Sequence, residues 1–189
     1  MSAIESLVSP RDLADLVELH ADGKMTWRSR GKKWFAHLGA DAGRAMASWN
    51  TKHAGKPAFA HKTGAGYFHG GLLNEKLLAH RAVWALSTGR WPVATIDHIN
   101  GNRQDNRICN LRDVPHVSNC RNQPLRNVNT SGFAGVSLDK RNGKYAASIC
   151  VNGKNVHLGK FETLAEARLA RDAANIKHGF HANHGRRQA

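Results

Sequence analysis

Apolar positions recur at helical spacing in the first fifth of the chain. Leu13, Ala14, Leu16 and Val17 follow Ser9-Pro10-Arg11-Asp12, where serine suits an N-cap, proline the first turn and aspartate the positive end of the helix dipole. A helix is therefore predicted over residues 10–19. Asp22-Gly23 is a turn, and the alternation of Met25 and Trp27 with Lys24, Thr26 and Arg28 predicts a strand. Residues 28–33 form a basic loop, and the alanine-rich stretch 40–49 predicts a second helix. Two strands, 67–73 and 75–80, are expected to pair about Asn74 and run into a helix over 81–88 that buries Ala82, Val83, Ala85 and Leu86 and stops at Gly89. A short apolar strand, 93–96, then leads to Asp97-His98. An asparagine-rich loop follows, then a strand over 110–114 and a helix over 115–123 that Pro115 can open and Pro124 ends.

The last third has a different rhythm. Strands are expected at 135–138, 144–151 and 155–159, joined by turns at 140–143 and at Asn152-Gly153, a strong hairpin signal. Thr163-Leu164-Ala165-Glu166 reads as a capping box that starts a helix to about Lys177, with Gly179 after it. Tyr145, Ala147, Ile149 and Val151, with Val156 and Leu158, would face Leu164, Ala167, Ala170 and Ala174 across a small core. The polar run 126–131 reads as a boundary. The predicted class is α+β, divided into residues 1–60, 61–125 and 126–185.

Charge changes the picture from a fold to a class of partner. The 28 Lys and Arg outnumber the 14 Asp and Glu, a net charge of +14. The excess is +3 over residues 1–60, +4 over 61–125 and +7 over 126–189. A surplus in every segment suits a chain that lies along a polyanion, so double-stranded DNA is the expected partner. Cys109, Cys120 and Cys150 lack the spacing of a zinc site or a disulfide framework and read as reduced. Neither a membrane-spanning run nor a signal peptide is evident, so a soluble, cytoplasmic protein is expected, with no membrane association.

The candidate chemistry sits at 79–123. Asp97-His98, then Ile99-Asn100-Gly101-Asn102, then Asn110-Leu111-Arg112, then Asn119 at 22 positions after Asp97, resemble the HNH nuclease motif in the variant opened by Asp-His and closed by Asn. The segment around Trp27, the run from Trp49 to Ala58 and Gly66-Tyr67 is similar, more loosely, to the N-terminal part of phage-type HNH endonucleases. The resemblance implies a ββα-metal module that hydrolyses phosphodiesters. His98 is the expected general base, since its ordinary pKa near 6.5 leaves it largely neutral at physiological pH. Asp97 and Asn119 are the expected cation ligands, and an oxygen donor set suits Mg²⁺ or Mn²⁺ and not tetrahedral zinc. Asn110 is implied to hold the loop so that His98 is aligned. His116 lies three positions before Asn119 and could be mistaken for the closing residue, but Asn119 keeps the family spacing. Arg81, Arg103 and Arg121 are candidate phosphate contacts, with local pairing an even alternative for Arg81.

Residues 132–179 carry a second resemblance. The runs from Gly135 to Ile149, from His157 to Ala167 and from Ala170 to Gly179 are similar to the plant ethylene-response-factor (APETALA-type) DNA-binding domain, a three-stranded antiparallel sheet packed on one helix. The outer face would hold Ser137, Asp139, Lys144, Ser148, Cys150, Asn155 and His157, where the plant domains have several arginines or tryptophans. Lys140, Arg141 and Lys154 are expected to hold phosphates, with Lys144 and His157 beside them. The expected activity is a homing or nicking endonuclease, active as a monomer or weak dimer without a small-molecule cofactor. The competing readings are a less specific phage nuclease and a DNA-binding regulator whose nuclease module no longer cuts.

Overall fold

Ser9 caps the first regular helix as predicted: its hydroxyl accepts the Asp12 N–H at 3.1 Å, ahead of α2 (Pro10–Leu16), which follows the short α1 (Ala3–Leu7). The helix stops earlier than its apolar spacing suggests. Val17 turns extended, and β1 (Val17–Leu19) pairs antiparallel with β2 (Met25–Trp27) across the Asp22-Gly23 turn. Pairing satisfies the backbone and suits a β-branched residue better than another helical turn would. The basic loop leads into a 3-10 segment (Lys32–Asp41), then α3 (Ala42–His53) and β3 (Pro57–Ala58), which adds to β2. The structure, a computed structural model, describes residues 3–115, 119, 122, 125, 128–182, 184 and 185.

β4 (His61–Lys62), β5 (Phe68–Leu72) and β6 (Glu75–Leu78) form a second antiparallel sheet, the β5–β6 turn having Leu73 and Asn74 at positive φ. α4 (Ala79–Thr88) follows directly, and left-handed Gly89 closes it. β7 (Thr95–His98) and β8 (Leu111–Val114) make a two-stranded antiparallel ladder.

α1, α2, α4, β1 to β3 and β5 to β8 share one core. Ile4, Val8, Leu13 and Leu16 from α1 and α2 pack in the same buried cluster as Leu72, Leu77, Ala82, Val83, Ile96 and Leu111. Residues 1–60 are thus not a free-standing segment beside the 61–125 module. The chain divides instead into a unit ending at Val114 and a second unit beginning at Pro115, so the break comes earlier than the polar run at 126–131.

The ion pair of Glu5 with Arg81 fastens α1 to α4. Arg81 Nε and Nη2 donate to the two Glu5 carboxylate oxygens, and its Nη1 and Nη2 also reach the Ala94 and Pro92 carbonyls. The Glu5 side chain is fully buried and Arg81 is partly buried. Of the two readings of Arg81, phosphate contact or ion pair, the structure shows the ion pair.

In the second unit β9 (Val136–Asp139), β10 (Lys144–Val151) and β11 (Lys154–Phe161) form an antiparallel sheet of order β11-β10-β9, with α5 (Leu164–Lys177) against it. The Thr163/Glu166 capping box is present. A bulge at Leu158 shifts the β10–β11 register, so that Ala147 pairs with Gly159 and Ser148 with His157. Val136, Ala147 and Ala167 are buried together, whereas Val156, expected in this core, is exposed. Among the described residues no helix is long and apolar enough to cross a membrane.

Candidate active site

Strand β7 ends at His98, and the next twelve residues fold into a loop tied by amides. Asn110 is its clasp: its Oδ1 accepts the Asn100 N–H at 2.9 Å and its Nδ2 donates to the Asp105 carbonyl at 2.8 Å. Asn100 in turn donates from Nδ2 to Asp105 and accepts the Asn102 N–H, while Gly101 N–H closes onto the His98 carbonyl at 2.7 Å. Asn110 is 7 % exposed, so these bonds are made where water competes little. Asp105 is held down to about 2 chiefly by its hydrogen bond to Arg107. Asn110 thus ties the loop that follows His98.

His98 and Asp97 point to opposite faces of β7, as neighbours on a strand must. His98 is 3 % exposed; its Nε2 lies 3.1 Å from Asn106 Oδ1. An amide oxygen accepts, so with Asn106 in this orientation the contact is made by an Nε2–H. The ring meets His80 edge-on at 5.2 Å between centroids and lies 5.8 Å from Tyr67. Arg103 stacks over Tyr67 at 5.1 Å and donates to the Ala65 carbonyl. Burial pushes the His98 pKa below its ordinary value, Asn106 and the nearby Asp97 and Asp105 opposing the shift. His80 is pushed down further, to about 3, by burial and then by the neighbouring His98 and Arg81 charges. Both rings are neutral at physiological pH.

On the other face, Asp97 is 6 % exposed and pairs across the ladder with Arg112, whose Nε and Nη2 both donate to Oδ2 at 2.9 and 2.7 Å. Among the described residues no cluster of three or more His, Cys, Asp or Glu forms a ready-made metal cage. A single buried carboxylate suits a hard cation that keeps most of its water better than it suits zinc. Asn119, the other expected ligand, is helical and half-buried, its N–H donating to the Pro115 carbonyl at 3.2 Å. His116 and Arg121 lie outside the described residues.

Residues 77–121 match the HNH endonuclease family. The chain carries an HNH endonuclease domain. That domain supports a nuclease function for the chain, and it includes His80, Asp97, His98, Asn110 and Asn119. Comparison with curated proteins and with solved structures gave no match.

Sequence reasoning missed Asn106 as a partner of His98 in the HNH domain. The signal was present as a fixed amide between Asp105 and Arg107, but in an asparagine-rich loop nothing singled it out. It also missed Gly23, a residue of the N-terminal turn whose Cα faces the loop backbone: a Cβ there would lie 2.5 Å from the Asn106 carbonyl carbon and 2.6 Å from the Arg107 nitrogen. With φ at +79° and backbone in the way, Gly23→Ala is expected to push residues 106–107 away from His98. Nicking should then fall at least tenfold, with a loss of thermal stability in the same variant; unchanged activity would show that the turn does not set the loop.

The two neutral histidines predict an acid-labile fold. Their folded pKa values lie below the unfolded value, so the stabilisation from keeping them uncharged is present above about pH 6.5 and is lost as pH falls. The slope approaches about 1.4 kcal/mol per pH unit for His80, whose pKa falls to about 3. Urea titrations between pH 7.5 and 5 should show it, and His80→Phe should flatten it; an unaltered slope in that variant would refute the assignment to His80.

Proposed function

We propose that this protein is a divalent-metal-dependent DNA endonuclease that hydrolyses phosphodiester bonds in duplex DNA, a homing or nicking enzyme acting in the host cytoplasm of a phage or mobile element. The observation that carries the reading is His98, a buried, neutral imidazole at the end of β7, with Nε2 held by Asn106 and its loop locked by Asn110, inside the segment matched to the HNH family. His98 takes a proton from water, the resulting hydroxide oxygen attacks phosphorus, and the bond to the 3′ oxygen breaks, that oxygen being protonated by solvent. A divalent cation would neutralise charge on the phosphate and the departing oxygen, with Asp97 and Asn119 as the ligands that the HNH resemblance implies. Arg112 already neutralises Asp97, so cation binding would share or displace that guanidinium. One such site makes one cut per engagement. A double-strand break then requires two engagements or a dimer.

The second unit is proposed as the DNA-holding part, of ethylene-response-factor type. Lys140, Arg141, Lys154 and His157 are exposed on it, and its sheet and helix have the arrangement that resemblance implies. Lys144 is tied to Glu162, and Lys160 and Arg141 to Asp139, which leaves Lys140, Lys154 and His157 as the better phosphate contacts. A fragment of residues 115–189 is expected to bind duplex DNA with an affinity that drops roughly 10- to 100-fold between about 50 and 200 mM salt. A folded fragment that ignores DNA at about 50 mM salt would hand this unit to a protein partner.

The overall reading is tested by nicking of supercoiled plasmid with Mg²⁺ or Mn²⁺, against EDTA. Conversion to the open circle only with metal supports it; DNA binding without any nicking supports the regulator instead.

A further inference from the structure

The first unit holds a cleft of about 770 Å³ between the 3-10 segment, α3 and the strands β3 to β5. That volume falls within the roughly 300–1,000 Å³ of small-ligand pockets. Its aromatic wall is built by Trp27 and Trp49, edge to face with centroids 5.7 Å apart, and by Phe59 at 5.1 Å from Trp27. His53 extends this wall, its ring 4.9 Å from Trp49.

Arg30 lies in the same wall. Its guanidinium sits 3.7 Å above the Trp49 ring and 5.2 Å from Trp27, and the residue is only 8 % exposed. Asn50 clamps its backbone from both sides, accepting the Arg30 N–H at 2.8 Å and donating to the Arg30 carbonyl at 3.1 Å. The guanidinium itself makes no ion pair among the described residues, and its buried Nε has no hydrogen-bond partner. Stacking on indole faces gives the buried Nε–H no acceptor, and burial pushes the pKa down to about 10. The cation–π contact offsets part of the cost of burying the charge but gives the Nε–H no acceptor. Satisfaction must come from outside.

The rest of the lining defines the ligand. No aspartate or glutamate lines the cleft, whereas Lys52, His37 and His61 do. A simple anion would make no use of the indoles, and an apolar ligand would leave Arg30 unpaired. A planar ring with acceptor atoms in its plane and a phosphate attached uses both features. We propose that the cleft receives an unstacked nucleotide of a DNA strand, its base within the aromatic lining and its acceptors on Arg30, with Lys52 near the phosphate. Only the source of the nucleotide rests on the nuclease reading; the binding does not.

The test uses the full chain. Its tryptophan indole N–H signals are followed by NMR while dGMP, dTMP or inorganic phosphate is added. Separately, a single-stranded oligonucleotide carrying 2-aminopurine is compared with one carrying an abasic residue at that position. Either nucleotide should shift the Trp27 and Trp49 signals saturably where phosphate does not, and 2-aminopurine should be quenched on binding. Tighter binding of the oligonucleotide than of the mononucleotide identifies a strand as the source, and the abasic strand should bind roughly 5- to 100-fold more weakly. Arg30→Met should weaken nucleotide binding by a similar factor while keeping or raising Tm, because an apolar side chain of similar length removes an unpaired buried charge. A Tm that falls instead, with nucleotide affinity unchanged, identifies Arg30 as structural and overturns the proposal. Lys52→Ala, at an exposed position, gives an independent variant, expected to weaken binding of the monophosphate more than of the nucleoside. No saturable shift at about 10 mM nucleotide, or an equal shift with phosphate alone, also overturns it. Plasmid nicking is read separately, so failure of the cleft leaves the nuclease assignment standing.

Discussion

His98→Ala is expected to abolish plasmid nicking while leaving DNA affinity nearly unchanged. The substitution removes proton transfer worth roughly 10²- to 10⁴-fold in rate and removes no cationic contact to phosphate. Because His98 is 3 % exposed, the variant also opens a small void, so its fold must be checked by thermal melting beside the wild type. His98→Gln is the better-packed companion and should be equally inactive. Asn106→Ala separates positioning from chemistry: the imidazole remains but its Nε2 partner is gone, so an intermediate rate is expected. Nicking by His98→Ala at near the wild-type rate would remove His98 from the mechanism.

Arg81→Ala should unfold the first unit far more readily, by about 3–5 kcal/mol, because it leaves the carboxylate of Glu5 buried without its partner. Two further backbone carbonyls, of Pro92 and Ala94, lose their donor at the same time. Urea unfolding of the variant checks the size of the loss. The sharper result comes from pairing: Glu5→Met together with Arg81→Met, which removes both charges, should recover much of what the single substitution loses. If instead Arg81→Ala keeps its stability and weakens DNA binding, Arg81 contacts phosphate, the other reading of its sequence context.

These two positions show how differently the chain discloses its residues. His98 was legible because its neighbours in sequence are also its neighbours in function: Asp97 precedes it, the Ile99 to Asn102 run turns the chain after it, and Asn110 returns twelve positions later to clasp the loop. Arg81 was not legible, since its partner Glu5 lies 76 positions away. A basic residue beside a nuclease motif reads equally as a phosphate contact or a local ion pair until the buried carboxylate from α1 is seen.

Local signals fared as their range dictates. The Ser9 cap, the Asp22-Gly23 turn, the Asn74 hairpin, Gly89 and the Thr163/Glu166 capping box depend on a few consecutive residues, and each is found where it was read. The end of α2 was misplaced because Val17 to Leu19 keep helical spacing, and only the partner strand β2 decides against the helix. Val156 is likewise exposed although it pairs with the buried Ile149, so its alternation does not decide its burial. The sequence by itself determined the nuclease motif, the local caps and turns and the basic character of the chain, all of which follow from residue type and short spacing. Tertiary structure alone decided that the N-terminal helices share a core with the HNH strands, that Gly23 presses on the catalytic loop, that Asp97 faces Arg112 and that Arg30 is stacked without a counter-charge. Each of these is a contact between distant stretches of chain, and a pairing across such separations is fixed by packing and solvent exclusion, which no local pattern encodes.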